Sequence, residues 1–326
     1  MTMFITDAEV RAVFDWRGAI AALRAAYFVP DDAARFPGRT MARGDFGWLR
    51  TLSGVPGDTG LMGAKLIAAS LTRRRVSYLI PLFDQQTAEL AALLDGNSVT
   101  GFRTAATSAL AADVLAPDRP LRVAVIGSGF EARHHVRALA AARALAAVTV
   151  FSPSPASRAK FADALADLKT PVTAAGSAAE AVEGADLVVC AARSRDETPT
   201  LHGAWLAPGM TVLSIGSTLP EQRELDTEAI RRADVIVADA VDEVSRDTGD
   251  MIAAAQAGVA FAGKLTSLAS VVSGQVPGRP APEAIVLYKS VGAAMQDLAV
   301  AAMCARRAAE RQLGTQLTAT VTPVGK

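Results

Sequence analysis

A short apolar strand that runs into a glycine-rich turn and then into a helix constrains this chain more than any other feature. Residues 121–126 read LRVAVI, and the turn after them reads GSGFEA. Gly127 permits a tight turn, Gly129 lets a pyrophosphate approach the backbone, and Ala132 lets the helix pack closely on the strand. Because the motif opens a helix and a second strand follows, it indicates a dinucleotide site rather than an unrelated glycine turn. The predicted phosphate contacts are Gly127, Ser128, Gly129, Phe130, Glu131 and Ala132.

Strand and helix patterns alternate after this motif. Apolar runs predict strands at 121–126, 148–151, 186–190, 211–215 and 235–238. Such alternation predicts an α/β fold with a Rossmann-type doubly wound parallel sheet, because each crossover needs a covering helix. A long Ala- and Met-rich helix over about 292–312 closes the pattern, and we expect it to pack on the first domain.

The first part of the chain has a different pattern. A capping box, Thr6 with Glu9, opens a helix, and short apolar segments between 36 and 95 alternate with Gly, Pro and Asp. They predict an antiparallel or mixed sheet, and hence an α+β domain. The prolines at 117 and 120 mark a boundary. We therefore predict a dinucleotide-binding domain over 119–296 and a second domain formed by 1–118 plus 297–326.

Charge and composition exclude several classes of function. The 326 residues carry 33 Lys+Arg against 33 Asp+Glu, so no basic field favours nucleic acid. No apolar run approaches the roughly 18 residues of a membrane span. Two cysteines give neither a disulfide framework nor a metal cluster. The first residues lack a signal-peptide pattern, so we expect a cytoplasmic protein without a metal site, a nucleic-acid partner or a membrane partner.

The end of the second strand bears on the choice of cofactor. An NAD-preferring site carries an acid near this point to bind the ribose hydroxyls, but here the sequence reads Phe151-Ser152-Pro-Ser154. Nothing there repels a 2′-phosphate, and Ser152, Ser154 and Arg158 are the predicted contacts. Alternatively, Ser154 only caps the next helix and Arg158 is solvated. We favour NADP(H) over NAD(H).

Three cations in the first domain are candidate ligands for a substrate carboxylate. They are Arg39 in FPGRT, Lys65 in MGAK and Arg103 in GFRTAA. A Lys inside an apolar strand is unfavourable unless it is paired or functional. The sequence alone favours a structural ion-pair role for each cation, and the spacing does not show that the three belong to one site. We interpret His134 and His135 as either helix-surface residues or residues close to the phosphates, not as catalytic bases.

Several segments together resemble the ornithine cyclodeaminase/μ-crystallin family over nearly the whole chain. The resemblance implies a homodimer in which the first domain and the last helix bind substrate and form the dimer. It also implies that Arg39, Lys65 and Arg103 gather around a substrate carboxylate, and that Thr87 and the turn at Val291 and Gly292 lie near the nicotinamide. The matching segments are FPGRT, MGAKLI, LFDQQTAELAALLDGNSVTGFRTAATSALAA, VIGSGFEA, SIGSTLPEQRELD, VIVAD and SVGAAMQDLA.

One departure from the family pattern concerns the chemistry. Cyclodeaminases of the family carry Ile-Gly-Ala-Asp-x-Pro-Gly-Lys-x-Glu-Leu-Asp, whereas this chain reads IGSTLPEQRELD, with Thr218 at the Asp position. A positioned base contributes about 10²–10⁴-fold to proton transfer, and a Thr hydroxyl without a basic partner cannot supply it. Reducing an iminium needs less, because its carbon is already electrophilic.

We therefore predict an NAD(P)H-dependent reductase of the C=N bond of an imino acid, either a ketimine or a cyclic imine such as a pyrroline carboxylate. Lys65 binds the carboxylate or polarises the C=N bond, and Thr218 hydrogen-bonds the substrate nitrogen. The first alternative is an ornithine cyclodeaminase that uses Glu221 or a water as its base. The second is an amino-acid or opine-type dehydrogenase. The third, of a different class, is a non-catalytic NADP(H)- or small-molecule-binding protein of the μ-crystallin type.

Overall fold

The chain forms two units, one built on a mixed β-sheet and the other on a parallel β-sheet. This computed structural model describes residues 2–29, 32–57, 59–194, 196–318 and 320–325. The strands are β1 (Thr2–Ile5), β2 (Thr40–Arg43), β3 (Gly47–Gly54), β4 (Leu61–Ser70), β5 (Arg75–Asp84), β6 (Leu90–Asp95), β7 (Leu121–Ile126), β8 (Leu145–Phe151), β9 (Val172–Ala174), β10 (Leu187–Cys190), β11 (Thr211–Ser214), β12 (Val235–Ala238), β13 (Leu265–Ser267), β14 (Val286–Lys289) and β15 (Thr315–Leu317). The α-helices are α1 (Asp7–Val13), α2 (Trp16–Tyr27), α3 (Asn97–Leu115), α4 (Phe130–Ala142), α5 (Pro155–Asp163), α6 (Ala178–Val182), α7 (Thr227–Arg232), α8 (Val241–Asp247), α9 (Gly249–Gln256), α10 (Leu268–Val272) and α11 (Ala294–Glu310).

The first unit comprises residues 1–103 and 293–326 and contains a mixed sheet. Its strand order is β15-β1-β6-β5-β4-β3-β2, with β1 parallel to β6 and the other neighbours antiparallel. The predicted mixed sheet between residues 36 and 95 is thus confirmed. Helix α11 packs on α2 and on β3 to β5, and it is buried over most of its length because it forms the centre of this unit. The capping box at Thr6 and Glu9 is also present.

The second unit, residues 104–292, contains a parallel sheet of order β13-β12-β14-β11-β10-β7-β8-β9. Its central strands β10 and β11 are fully buried, as expected when helices cover both faces. The five predicted strands are present, and β9, β13 and β14 are additional. Two of these have only three residues, and β14 includes a buried lysine that breaks its apolar pattern. The strand order changes direction between β7 and β10, which is where open α/β sheets bind ligands.

The division between the two units falls within α3 rather than at the prolines. The predicted boundaries were 118 and 296, whereas contacts divide the chain after Arg103 and after Gly292. The later turns of α3 belong to the second unit because they pack there: Ser108 lies 3.0 Å from a ring nitrogen of His135. Across the described ranges, no helix is both long enough and apolar enough to cross a bilayer.

Candidate active site

The glycine turn after β7 has the geometry of a phosphate-binding loop. Gly127 has φ +111°, and a Cβ there would lie 2.6 Å from the carbonyl oxygen of Ala191, just after β10. Only glycine fits at this position. A Cβ at Gly129 would meet no atom within 4 Å, so the space above the turn is open. Gly129 is also the N-cap of α4 and makes no side-chain cap, which leaves the positive helix end facing this space.

Some of the first residues of α4 are buried against the sheet, and others are exposed. Ala132 is fully buried, as close helix–sheet packing requires. Phe130 is 38% exposed, and its ring centroid lies 4.0 Å from that of His134. The expectation that His135 lies on the helix surface is wrong. Its ring is buried between Ser108 and the Glu131 carbonyl oxygen, and burial lowers its pKa to about 4. The sequence could not show this, because α3 covers that face.

The guanidinium of Arg158 is hydrogen-bonded at the carboxyl end of β8. Arg158 donates from Nη1 to the Ser152 carbonyl oxygen at 2.5 Å, and its guanidinium lies over the Phe151 ring at 5.7 Å. Ser128 in the glycine turn donates to the Ser152 hydroxyl at 2.9 Å, which joins the turn to this strand end. The Ser154 hydroxyl accepts from the Ser157 amide and caps α5, as the alternative interpretation stated. Arg158 therefore places a positive charge at the carboxyl end of β8.

An aspartate that the sequence analysis did not single out holds the turn after β14. Asp239, at the end of β12, accepts from the Val291 amide at 2.9 Å and from the Gly292 amide at 2.8 Å. The Ser290 hydroxyl also donates to it, at 2.6 Å. Gly292 has φ +82°, which favours glycine. Asp239 ends the VIVAD segment, so its place after a buried strand was the available signal.

Thr218 lies in a half-buried loop after β11. Its amide donates to Gln222 Oε1 at 2.9 Å, and its hydroxyl donates to the same oxygen at 3.2 Å. The loop also closes on itself, because the Ser217 hydroxyl donates to the Gln222 carbonyl oxygen at 2.6 Å. The partner of the Thr218 hydroxyl is thus an amide, which is not a base at neutral pH.

A buried polar network supports the start of this loop. Glu224 Oε2 accepts from the Ser214 hydroxyl at 2.6 Å and from the Gly216 amide at 3.0 Å. Lys289 donates to Ser214 at 2.9 Å and to Asp250 at 2.8 Å. Burial raises the pKa of Glu224 to about 7, although Lys289 opposes the rise. The carboxyl group beneath the loop therefore titrates near neutral pH.

The first unit brings two of the predicted cations, Lys65 and Arg103, onto one aspartate, and the charge of Arg39 acts on Lys65. Lys65 Nζ and Arg103 Nε both donate to Asp297 Oδ1 at 2.8 Å, and Lys65 and Asp297 are almost completely buried. Burial lowers the pKa of Lys65 to about 7; the charge of Arg103 adds to this fall, Asp297 opposes it, and Arg39 contributes further lowering. Because Lys65 and Arg103 share one carboxylate, with Arg39 acting on Lys65 as a further positive charge, the cluster carries excess positive charge, which suits an anionic ligand.

Two members of this cluster were not predicted as site residues. Asp297 stands in the first turn of α11, and Gln296 beside it accepts from Arg103 Nη1 at 2.5 Å and donates to the Tyr27 hydroxyl at 2.7 Å. An amide and an acid directly before the apolar run LAVAAMCA were the available signal. Thr87 lies in an exposed turn after β5, where its amide and hydroxyl donate to Asp84.

The parallel sheet and the open glycine turn define a dinucleotide-binding protein of the Rossmann class, whose first unit carries a buried cluster of cations around Asp297. The chain belongs to the ornithine cyclodeaminase/mu-crystallin family, whose model matches residues 63–312. It is 30% identical over 220 residues to ketimine reductase mu-crystallin of Mus musculus, a match that spans 68% of this chain and 66% of the mouse protein's length. The predicted family and fold class are thus confirmed.

Two solved structures are similar to the whole chain. One is Thermococcus litoralis Delta(1)-pyrroline-2-carboxylate reductase in complex with NADH and L-proline, with a TM-score of 0.87 and 26% identity, covering 97% of this chain and 100% of that one. The other is a probable ornithine cyclodeaminase from Bordetella pertussis Tohama I, with a TM-score of 0.85 and 31% identity at the same coverage. The relatives therefore include both reductases and cyclodeaminases.

Proposed function

We propose that this protein reduces the C=N bond of an imino acid, a ketimine or a cyclic imine such as a pyrroline carboxylate, with NAD(P)H. The observation that carries the proposal is the Thr218 hydroxyl. Thr218 stands where the family's cyclodeaminases have an aspartate, and its hydrogen-bond partner is the Gln222 amide. Oxidising an amine requires a base to take protons, whereas reducing a protonated imine does not. The reductases among the similar proteins support the same choice.

The residues of the first unit bind the substrate's carboxylate in this proposal. Arg39 and Arg103 carry permanent charge, and Arg103 is held in place by Asp297 and Gln296. Lys65 binds the carboxylate or polarises the C=N bond. Both roles require the charged ammonium group, which a lysine with a pKa of about 7 carries below that pH and loses above it. Thr218 accepts a hydrogen bond from the substrate nitrogen.

The residues of the second unit fit a dinucleotide. The open turn at Gly127 and Gly129 has room for a pyrophosphate, and the amide groups at the start of α4 face it. When bound, the nicotinamide cofactor supplies the hydride. Asp239 holds the Val291–Gly292 turn in one conformation, which we propose positions the nicotinamide. The remaining proposed contacts are Ser128, Phe130, Glu131, Ala132, Ser152, Ser154 and Thr87.

We propose that NADP(H) is preferred over NAD(H). Arg158 is held at the end of β8 by the Ser152 carbonyl oxygen, and no acid of the described β8–α5 turn opposes it. A guanidinium at this point suits a 2′-phosphate. The related Thermococcus protein was solved with NADH, so the preference is a property to be measured for this chain.

We also propose a cytoplasmic homodimer. The first unit exposes several large apolar side chains on or beside β3 to β5, which is unusual for a surface that faces water alone. They are Phe46, Leu49, Leu71 and Val76. Both cysteines are buried and unpaired, which suits a reducing compartment. Light scattering coupled to gel filtration tests the dimer, and Leu49→Arg is expected to weaken it.

The function is tested by the oxidation of NADPH and of NADH over a panel of cyclic and acyclic imino acids. An assay for proline formation from ornithine with NAD⁺ runs beside it, and Thr218→Asp is measured in both assays. We expect imino acids to be reduced and ornithine to remain unreacted. Proline formation by the wild type at a rate that Thr218→Asp does not increase would instead establish a cyclodeaminase. Cofactor binding without turnover of any imino acid would establish a binding protein.

A further inference from the structure

The hydrogen bonds of Thr218 settle which atom of the Gln222 amide faces it. The Thr218 backbone amide lies 2.9 Å from that atom, and a backbone N–H can only donate. The facing atom is therefore the amide oxygen, not the nitrogen. The Thr218 hydroxyl lies 3.2 Å from the same oxygen, which has no hydrogen to give. The hydroxyl must then be the donor in this contact.

Because of this contact, the Thr218 hydroxyl can act toward a ligand only as a hydrogen-bond acceptor. A hydroxyl has one hydrogen and two lone pairs, and Gln222 takes the hydrogen. The oxygen can accept a hydrogen bond from a ligand, but it cannot also donate one.

The loop that carries the pair is fixed from several sides. The Ser217 hydroxyl donates to the backbone carbonyl oxygen of Gln222, and the backbone N–H of Gln222 donates to the Leu219 carbonyl oxygen at 3.0 Å. The Gly249 amide donates to the same Leu219 oxygen at 3.1 Å, and a Cβ on Gly249 would lie 2.2 Å from the Gln222 carbonyl oxygen. The loop therefore rests directly on the start of α9. Where the cyclodeaminase segment has an acid and a lysine, this chain has a hydroxyl and an amide at the same two places.

We propose that Gln222 is a positioning residue that makes Thr218 a hydrogen-bond acceptor, and that the site thereby selects a protonated C=N–H group over the C=O group of the corresponding 2-oxo acid. The proposal rests on the proposed function and narrows its substrate class. A protonated imine nitrogen donates a hydrogen bond to the Thr218 oxygen. The carbonyl oxygen of the 2-oxo acid has lone pairs but no hydrogen, so it cannot form a hydrogen bond with the Thr218 oxygen. Sites built in this way reject an analogue that lacks the expected hydrogen.

A matched pair of ring carboxylates tests the proposal. Pyrrole-2-carboxylate presents an N–H beside the carboxylate, and furan-2-carboxylate presents an oxygen acceptor in a ring of the same size. Their dissociation constants are measured by titration calorimetry on the protein saturated with NADP⁺. Reduction of an imino acid by the same preparation is measured in parallel. We expect the wild type to bind the pyrrole at least about tenfold more tightly, the factor that corresponds to one hydrogen bond gained and one unpaired acceptor avoided.

Variants separate the role of Gln222 from a general effect on folding. Gln222→Met keeps the side-chain length but frees the Thr218 hydroxyl, so the ratio of the two constants should fall toward one. Gln222→Glu keeps an oxygen acceptor and should restore the ratio. Gln256→Met, at an exposed helix end, makes the same exchange as a control. If Gln222→Met does not fold, Thr218→Val, which lacks the hydroxyl, should also lose the preference.

The outcomes distinguish this proposal from the proposed function. An unchanged ratio in Gln222→Met, or in Thr218→Val, overturns the role of the pair even if imino acids are reduced. A wild-type protein that turns over no imino acid overturns the proposed function, whatever the ratio.

Discussion

Ionisation of Glu224 should make the protein less stable as the pH rises toward neutrality. Burial raises the pKa of this carboxyl group from its ordinary value of 4.5 to about 7 in the folded chain. Between these two values, the folded protein holds a proton that the unfolded chain has released. The contribution of Glu224 to the free energy of unfolding is therefore fully present below about pH 4.5, and it is lost as the pH rises through 7. At 1.36 kcal/mol per pKa unit, the loss is about 3 kcal/mol by about pH 8.

The prediction is checked by urea unfolding of the wild type and of Glu224→Gln at about pH 4.5 and about pH 8. Gln cannot ionise, so the stability of the variant relative to the wild type should rise by about 3 kcal/mol between the two conditions. Circular dichroism and tryptophan fluorescence must give coincident transitions, since the chain has two units. Glu221→Gln is the matched control, because Glu221 is an exposed residue of the same loop. A difference between variant and wild type that does not change with pH would refute the reasoning.

Four further predictions concern the proposed cofactor and substrate contacts and the glycine turn. Because the pKa of Lys65 is about 7, kcat/KM for an imino acid should fall as the pH rises through 7, and a pH profile of Lys65→Arg should lack that fall. Arg158→Ala should raise the KM for NADPH about tenfold and leave that for NADH unchanged, whereas Lys160→Ala on the same helix should alter neither. Gly129→Val should weaken cofactor binding in a titration without changing Tm, because the space above it is open. Gly127→Ala should lower Tm by several degrees, because its φ is +111° and a Cβ would meet the Ala191 carbonyl oxygen. A Gly127→Ala protein with unchanged Tm would contradict that account.

The sequence by itself determined the nucleotide-binding fold and the positions of the charged candidates. The strand, glycine turn and helix over 121–142 could be predicted because the conformation of each residue there depends mainly on its near neighbours along the chain. For the same reason, the alternating apolar runs correctly indicated a parallel sheet. The sequence also identified Thr218 as a departure, because the surrounding segment could be compared position by position.

Only the tertiary structure decided which residues meet. Lys65 and Asp297 are 232 residues apart, and no spacing rule relates a strand lysine to an aspartate in the last helix. His135 looked like a surface residue until α3 covered it, and Gln222 acquired a role only when its loop closed on Thr218. The physical reason is the same in each case. Burial and hydrogen-bond partners depend on which distant segments pack together, and that packing sets both the pKa of a side chain and the direction in which its hydrogens point.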